Sequence, residues 1–213
     1  MTERIVAANT HGRYLAVPPS APEPAPLLVG FHGYAESAEI QLERLRAIPG
    51  SDRWLILSIE ALHHFYRSRT NEVVASWMTR RHRDLAIADN ISYVKSCLDS
   101  AIAEWNARPL VVFAGFSQGV AMAFRAAVHA TQTVAGVIAV GGDVPPEITP
   151  EQLNRIPNTL IARGATDNLY SEEQFAKDQH RLSASRTITL NAGHEWASDL
   201  FTPAAEFLGE VNR

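Results

Sequence analysis

Short apolar runs alternate along this chain with longer stretches in which apolar residues recur every three or four positions. The short runs predict buried strands and the longer period predicts helices, so their alternation implies a mostly parallel sheet covered on both faces. Strands are expected at Leu27–Phe31, Trp54–Ile59, Leu110–Ala114, Val134–Val140, Thr159–Arg163 and Thr187–Leu190. Helices are expected at Ile40–Ile48, at Leu85–Trp105, directly after residue 117, at Ser171–Leu182, and from Pro203, a residue suited to a first helical turn. In the longest, Leu85, Ala88, Ile91, Val94, Leu98, Ile102 and Trp105 share one face, with Asp84 as the expected N-cap. The opening departs from this rhythm. Arg4–Ala8 and Arg13–Val17, joined through Asn9-Thr10-His11-Gly12, predict an antiparallel hairpin before the proline-rich spacer Pro18–Pro26. The expectation is an α/β fold with eight strands and five helices, formed by one domain spanning residues 1–213.

A chain of 213 residues with 46% hydrophobic content can bury a large core but is short for two independent domains. Its formal net charge of −4 supplies no basic field for nucleic acid, which points to a small-molecule partner. Cys97 is the single cysteine, so no internal disulfide can form, and its place in a helix-period stretch marks a structural thiol. Met1–Ala8 lacks the pattern of a signal peptide and no apolar run reaches membrane-spanning length, so a soluble cytoplasmic protein is expected. The oligomeric state stays open, a homodimer included.

The chemistry concentrates between residues 110 and 130. An apolar run enters Gly115-Phe116-Ser117-Gln118-Gly119, and an alanine-rich stretch leaves it with Val120, Ala123, Phe124, Ala127 and Val128 on one side. A serine between a buried strand and a helix start occupies a cramped turn, and small flanking residues let strand and helix approach. A serine hydroxyl is too weakly acidic to attack unaided, so a neutral imidazole must take its proton and a carboxylate must orient that imidazole. Asp167 and His194 both follow predicted strands, giving the chain order Ser, Asp, His found in α/β-hydrolases. Two alternatives bear on the acid: Asp167 as a loop residue capping the next helix, and Asp143 in Gly141-Gly142-Asp143 as the orienting group. Among the eight histidines, His194 alone combines a late strand end with an adjacent glycine. An oxygen that becomes negative during acyl transfer needs donors fixed beforehand, and the backbone amides of Gln118 and Tyr34 are the candidates.

His32-Gly33-Tyr34, Gly115-Phe116-Ser117-Gln118-Gly119, Gly164-Ala165-Thr166-Asp167 and Gly193-His194-Glu195-Trp196 together resemble the phospholipase/carboxylesterase family of α/β-hydrolases, whose best-known branch is the acyl-protein thioesterases. The resemblance runs from about Leu27 to the C-terminus, and the G-F-S-Q-G elbow is its most specific part. It implies serine hydrolysis of carboxylic esters or thioesters, Ser117, Asp167 and His194 as triad, the Tyr34 and Gln118 amides as oxyanion donors, and no metal or organic cofactor. Two places depart from the family pattern. Gly33-Tyr34-Ala35-Glu36 stands where Gly-x-Gly-Asp is common, and Ser76-Trp77-Met78-Thr79 replaces Trp-Phe/Tyr-Asp.

The segment from Ala61 to Arg83 joins a strand to the long helix and is expected to overhang the site. It carries Arg67, Arg69, Arg80, Arg81 and Arg83, readable as a solvated loop or as a surface for an anionic group. Phe65 and Trp77 within it, and Trp196 beyond His194, are the candidate substrate-binding residues. Its histidines lack a third partner at metal-ligand spacing. Between Val140 and Thr159 only a proline-rich loop fits, so no large cap is expected and the site should be open to small or carrier-presented acyl groups. The same fold could also act on an amide, lactone or peroxide, or bind a ligand without turnover.

Overall fold

Leu27–Phe31 is buried at every position, which marks β2 as an interior strand of a sheet covered on both sides. The computed structural model describes residues 1–20, 24–183 and 185–212. Its strands are β1 (Tyr14–Val17), β2 (Leu27–Phe31), β3 (Leu55–Ile59), β4 (His63–Tyr66), β5 (Val73–Ser76), β6 (Leu110–Phe116), β7 (Thr133–Val140), β8 (Thr159–Gly164) and β9 (Ser185–Leu190). Its helices are α1 (Ala38–Arg46), α2 (Arg83–Trp105), α3 (Gln118–His129), α4 (Pro150–Leu153), α5 (Glu172–Arg181) and α6 (Phe201–Val211).

Seven strands form the main sheet in the order β1-β3-β2-β6-β7-β8-β9, with β1 antiparallel to β3 and the other pairings parallel. Alternate residues of β2 divide between two cores. Leu27, Val29 and Phe31 join the cluster with Val94, Leu98, Val120, Phe124 and Phe175 from α2, α3 and α5. Leu28 joins the one with Leu45, Phe207 and Leu208 from α1 and α6. Each such side chain contributes about 1.5–3 kcal/mol by leaving water, so the two apolar faces hold the layers together. The chain steps outward from β2 to β3 and then returns to β6 on the other side. That reversal opens a crevice at the C-terminal ends of β2 and β6, where open α/β sheets place their ligands.

The sheet has one strand fewer than expected. Arg4–Ala8 forms no strand and is exposed throughout, Ile5 and Val6 included, so it brings no buried apolar side chain that could hold a hairpin together. Residues 21–23 of the expected proline-rich spacer lie outside the described residues. An unexpected two-stranded sheet, β4 with β5, occupies the segment read as a loop. Helix α2 begins at Arg83 after His82 in a left-handed conformation, so Asp84 falls in the first turn and favours the helix dipole instead of capping. The buried face of α2 is also rotated. Asn90, Cys97 and Ala101 point inward while Leu85 is 49% exposed, because the Asn90 side-chain amide donates 2.7 Å to the Trp77 carbonyl. The connection from β7 to β8 holds only the four-residue α4, leaving no large cap.

Candidate active site

Strand β6 delivers Ser117 to the crevice, and α3 begins at the next residue. Ser117 adopts φ 50° and ψ −119°, a backbone conformation that costs a non-glycine residue about 1–3 kcal/mol and lifts its side chain above the sheet. The crowding around it explains the flanking glycines. A Cβ on Gly115 would lie 2.4 Å from the Gly119 carbonyl oxygen, and one on Gly119 would lie 2.1 Å from that of Phe31. The Ser117 amide donates 2.9 Å to Val140 O, tying the turn to β7.

Three side chains from separate strand ends meet there. His194 Nε2 lies 2.9 Å from Ser117 Oγ, and His194 Nδ1 lies 2.8 Å from Asp167 Oδ2. An ionised carboxylate only accepts, so Nδ1 carries the ring proton and Nε2 is left to accept from the serine hydroxyl. The other Asp167 oxygen accepts the amides of Leu169 at 2.8 Å and Tyr170 at 2.9 Å. Burial opposes ionisation of this carboxyl, but the Tyr170 amide, His194 and the Leu169 amide outweigh it and hold its pKa below the usual range. Arg163 on β8 anchors the acid turn by donating 2.8 Å to Tyr170 O and 3.1 Å to Asp167 O. Asp143, the alternative acid, is exposed and makes no hydrogen bond to His194.

The amides of Gln118 and Tyr34 open the two segments flanking the crevice, and neither donates to an acceptor among the described residues. Between β2 and Tyr34 sits His32, wholly buried. Its Nδ1–H donates 2.7 Å to Gly33 O while Nε2 accepts the Ala61 amide at 3.1 Å. Burial lowers its pKa and keeps the ring neutral, as that bonding pattern requires.

The candidate substrate-binding residues separate. Phe65 on β4 stacks on the Tyr34 ring at 5.5 Å between centroids, and Tyr34 is 61% exposed, so the pair offers an aromatic face beside the crevice. Trp77 is 0% exposed and lines no open surface. Its ring lies edge-on to Phe31 at 5.4 Å and its Nε1–H donates 2.9 Å to His32 O, so it supports the rim from below. Trp196 is half-buried against the α1 and α6 core. Among the five arginines of the overhanging segment, Arg67 bonds Ala35 O and Glu72, and Arg83 bonds Glu147, which also takes Arg125. These two are committed to structure. Cys97 is buried and its thiol is pushed up to about 11, chiefly by burial, so it stays neutral. Among the described residues no three His, Cys, Asp or Glu side chains cluster to hold a metal ion, and no helix is long and apolar enough to cross a membrane.

Sequence reasoning missed the Gln118 side chain. Its Oε1 accepts the Trp77 amide at 2.9 Å and its Nε2 donates 3.1 Å to Met78 O, clamping the overhanging segment to the elbow. The only hint was a long polar side chain at a helix start that needs merely an N–H. It also missed the ion pair of Glu36 with Arg44.

The same architecture recurs in solved structures. Zea mays acyl-protein thioesterase 2 superposes with a TM-score of 0.73 at 15% identity, covering 94% of this chain and 99% of that one. Esterase PE8 does so with a TM-score of 0.72 at 20% identity, covering 95% of this chain and 100% of that one. For the Bacillus cereus carboxylesterase the values are 0.70 and 16%, with 95% and 96% covered. At such identities the likeness is one of fold. No curated protein matches the sequence. The phospholipase/carboxylesterase family profile, however, matches residues 14–185, and the chain belongs to that family.

Proposed function

We propose that this serine hydrolase cleaves carboxylic esters or thioesters through an acyl-enzyme on Ser117. The observation that carries the reading is the hydrogen-bonded series from Asp167 through His194 to Ser117, at 2.8 and 2.9 Å. His194 Nε2 takes the hydroxyl proton as Ser117 Oγ bonds the substrate carbonyl carbon, and Asp167 steadies the resulting imidazolium. The Tyr34 and Gln118 amides hold the carbonyl oxygen while it is negative. The carbon–oxygen or carbon–sulfur bond then breaks, and the leaving alcohol or thiol takes the proton from His194. Water, deprotonated by the same nitrogen, releases the acid and returns the proton to Ser117. The acyl group or its carrier rests against the Tyr34 and Phe65 rings, in a cleft left open by the short β7–β8 connection.

Ser117→Ala should lower kcat/KM on ester substrates by about 10^4-fold or more and abolish labelling by a fluorophosphonate, with an unchanged circular dichroism spectrum. Undiminished turnover by that variant would overturn the reading. A panel of esters and thioesters differing in acyl length then reads the preferred leaving group.

A further inference from the structure

We propose that the Glu36–Arg44 ion pair is the positioning device of the oxyanion site, fixing how far apart the two donor amides stand; this rests on the reading of Tyr34 and Gln118 as those donors. The carboxylate lies in the turn after β2 and the guanidinium on α1, each side chain only 17% exposed. They meet as two forks, at 2.6 and 2.7 Å. Glu36 Oε2 also accepts the Gly33 amide at 2.7 Å. One residue beyond Tyr34, the Ala35 amide donates 3.0 Å to Ala75 O, and the Ala75 amide returns 2.9 Å to Glu36 O. The amides on both sides of Tyr34 are thus pinned, and the one between them is left free to face a ligand.

The same cation reaches the other donor. Its guanidinium carbon lies 4.2 Å from the centre of the Phe116 ring, and Phe116 directly precedes Ser117 and Gln118. The same ring also neighbours the His194 imidazole, at 5.1 Å between centroids. Gln41 Oε1, 3.3 Å from Arg44 Nη1, holds the guanidinium on its helix. One arginine therefore fastens the Tyr34 turn to the elbow, two segments about eighty residues apart in sequence. An oxyanion site works because its donors are fixed before charge develops, and small displacements are costly in rate. The pairing has a second consequence. Glu36 alone would place a negative charge beside the developing oxyanion, and Arg44 cancels it.

The charge argument orders the variants. Arg44→Met leaves the carboxylate uncompensated and should lower kcat by about 30-fold or more, with KM within about twofold of wild type. Glu36→Gln loosens the turn without adding a repulsive charge and should cost about tenfold. The double variant should be no worse than Arg44→Met, since removing Glu36 also removes the repulsion. Arg44→Lys, the mildest change, keeps the charge but lacks the fork and should lose several-fold. Affinity for an alkyl trifluoromethyl ketone, whose adduct carries the oxyanion, should fall in parallel with kcat/KM. All rates are counted per site titrated with a fluorophosphonate, so misfolded protein does not contribute. If the variants lower the melting temperature but keep wild-type kcat per site and ketone affinity, the pair is merely structural and the proposal is overturned. Turnover surviving in Ser117→Ala would instead sink the functional reading beneath it.

Discussion

Asp167 shows how much one carboxylate can settle when each of its oxygens has a separate task. Oδ1 closes the turn by accepting two amides, and Oδ2 is thereby aimed at His194 Nδ1. Replacement by asparagine keeps the size but can present an N–H to the imidazole, which would move the ring proton to Nε2 and point a donor at Ser117. Asp167→Asn should therefore lower kcat by about 10^4-fold with little change in fold, checked by active-site titration alongside circular dichroism. Retention of the wild-type rate would transfer the orienting role to another acid, with Asp143 first in line. This position was legible in the sequence, because a strand followed by a polar turn is a local signal. Glu36 was not legible in the same way. Its partner lies on the next helix, and only the folded turn shows that its carboxylate meets the Gly33 amide and the Arg44 guanidinium at once.

At the scale of elements, the elbow was readable because strand, glycines and helix are contiguous, and β2 because its buried run is unbroken. The β4–β5 hairpin was not: His63, His64 and Tyr66 are exposed, so no alternation of apolar and polar residues announces it. Its closing turn relies on Asn71 at φ 57°. The rotation of α2 escaped for a related reason, since Asn90 is drawn inward by a carbonyl thirteen residues away that the helical period does not contain. At Gly119, α3 packs directly against the backbone at the end of β2. Gly119→Ala would press a methyl group against the Phe31 and His32 carbonyl oxygens, and backbone cannot step aside as a side chain can. It should cost more than about 4 kcal/mol in urea denaturation, or prevent folding. Gly209 is the counterexample within α6, exposed and with nothing within 4 Å of an added Cβ. There the same substitution should stabilise by about 0.5–1 kcal/mol, because it removes only helix-opposing backbone freedom.

For the whole molecule, the site draws on the ends of β2, β6, β8 and β9, so its integrity is that of the sheet and acid should unfold both together. The sign of each contribution follows from which state binds more protons. His32 has its pKa lowered by burial, so between its folded value and about 6.5 the unfolded chain is the more protonated, and stability falls as pH drops through that window. Glu36 and Asp167 are held below the usual carboxylate range, so their contributions persist lower and vanish only as pH falls through about 4 and beyond. Asp178 acts in the opposite direction. It is wholly buried, and burial raises its pKa despite the Tyr170 hydroxyl bonded at 2.8 Å, so its contribution is lost as pH rises from about 3.8 through its folded value. The melting temperature should therefore begin to fall as pH drops through about 6.5, before the carboxylates titrate. His32→Asn, whose side-chain amide can still donate to Gly33 O, should lower the plateau near pH 8 yet flatten this first limb, leaving the steeper loss below pH 4 unchanged. Melting curves of both proteins across that range decide the matter: an undiminished first limb in the variant would place the acid sensitivity elsewhere than at the buried ring beneath the Tyr34 turn.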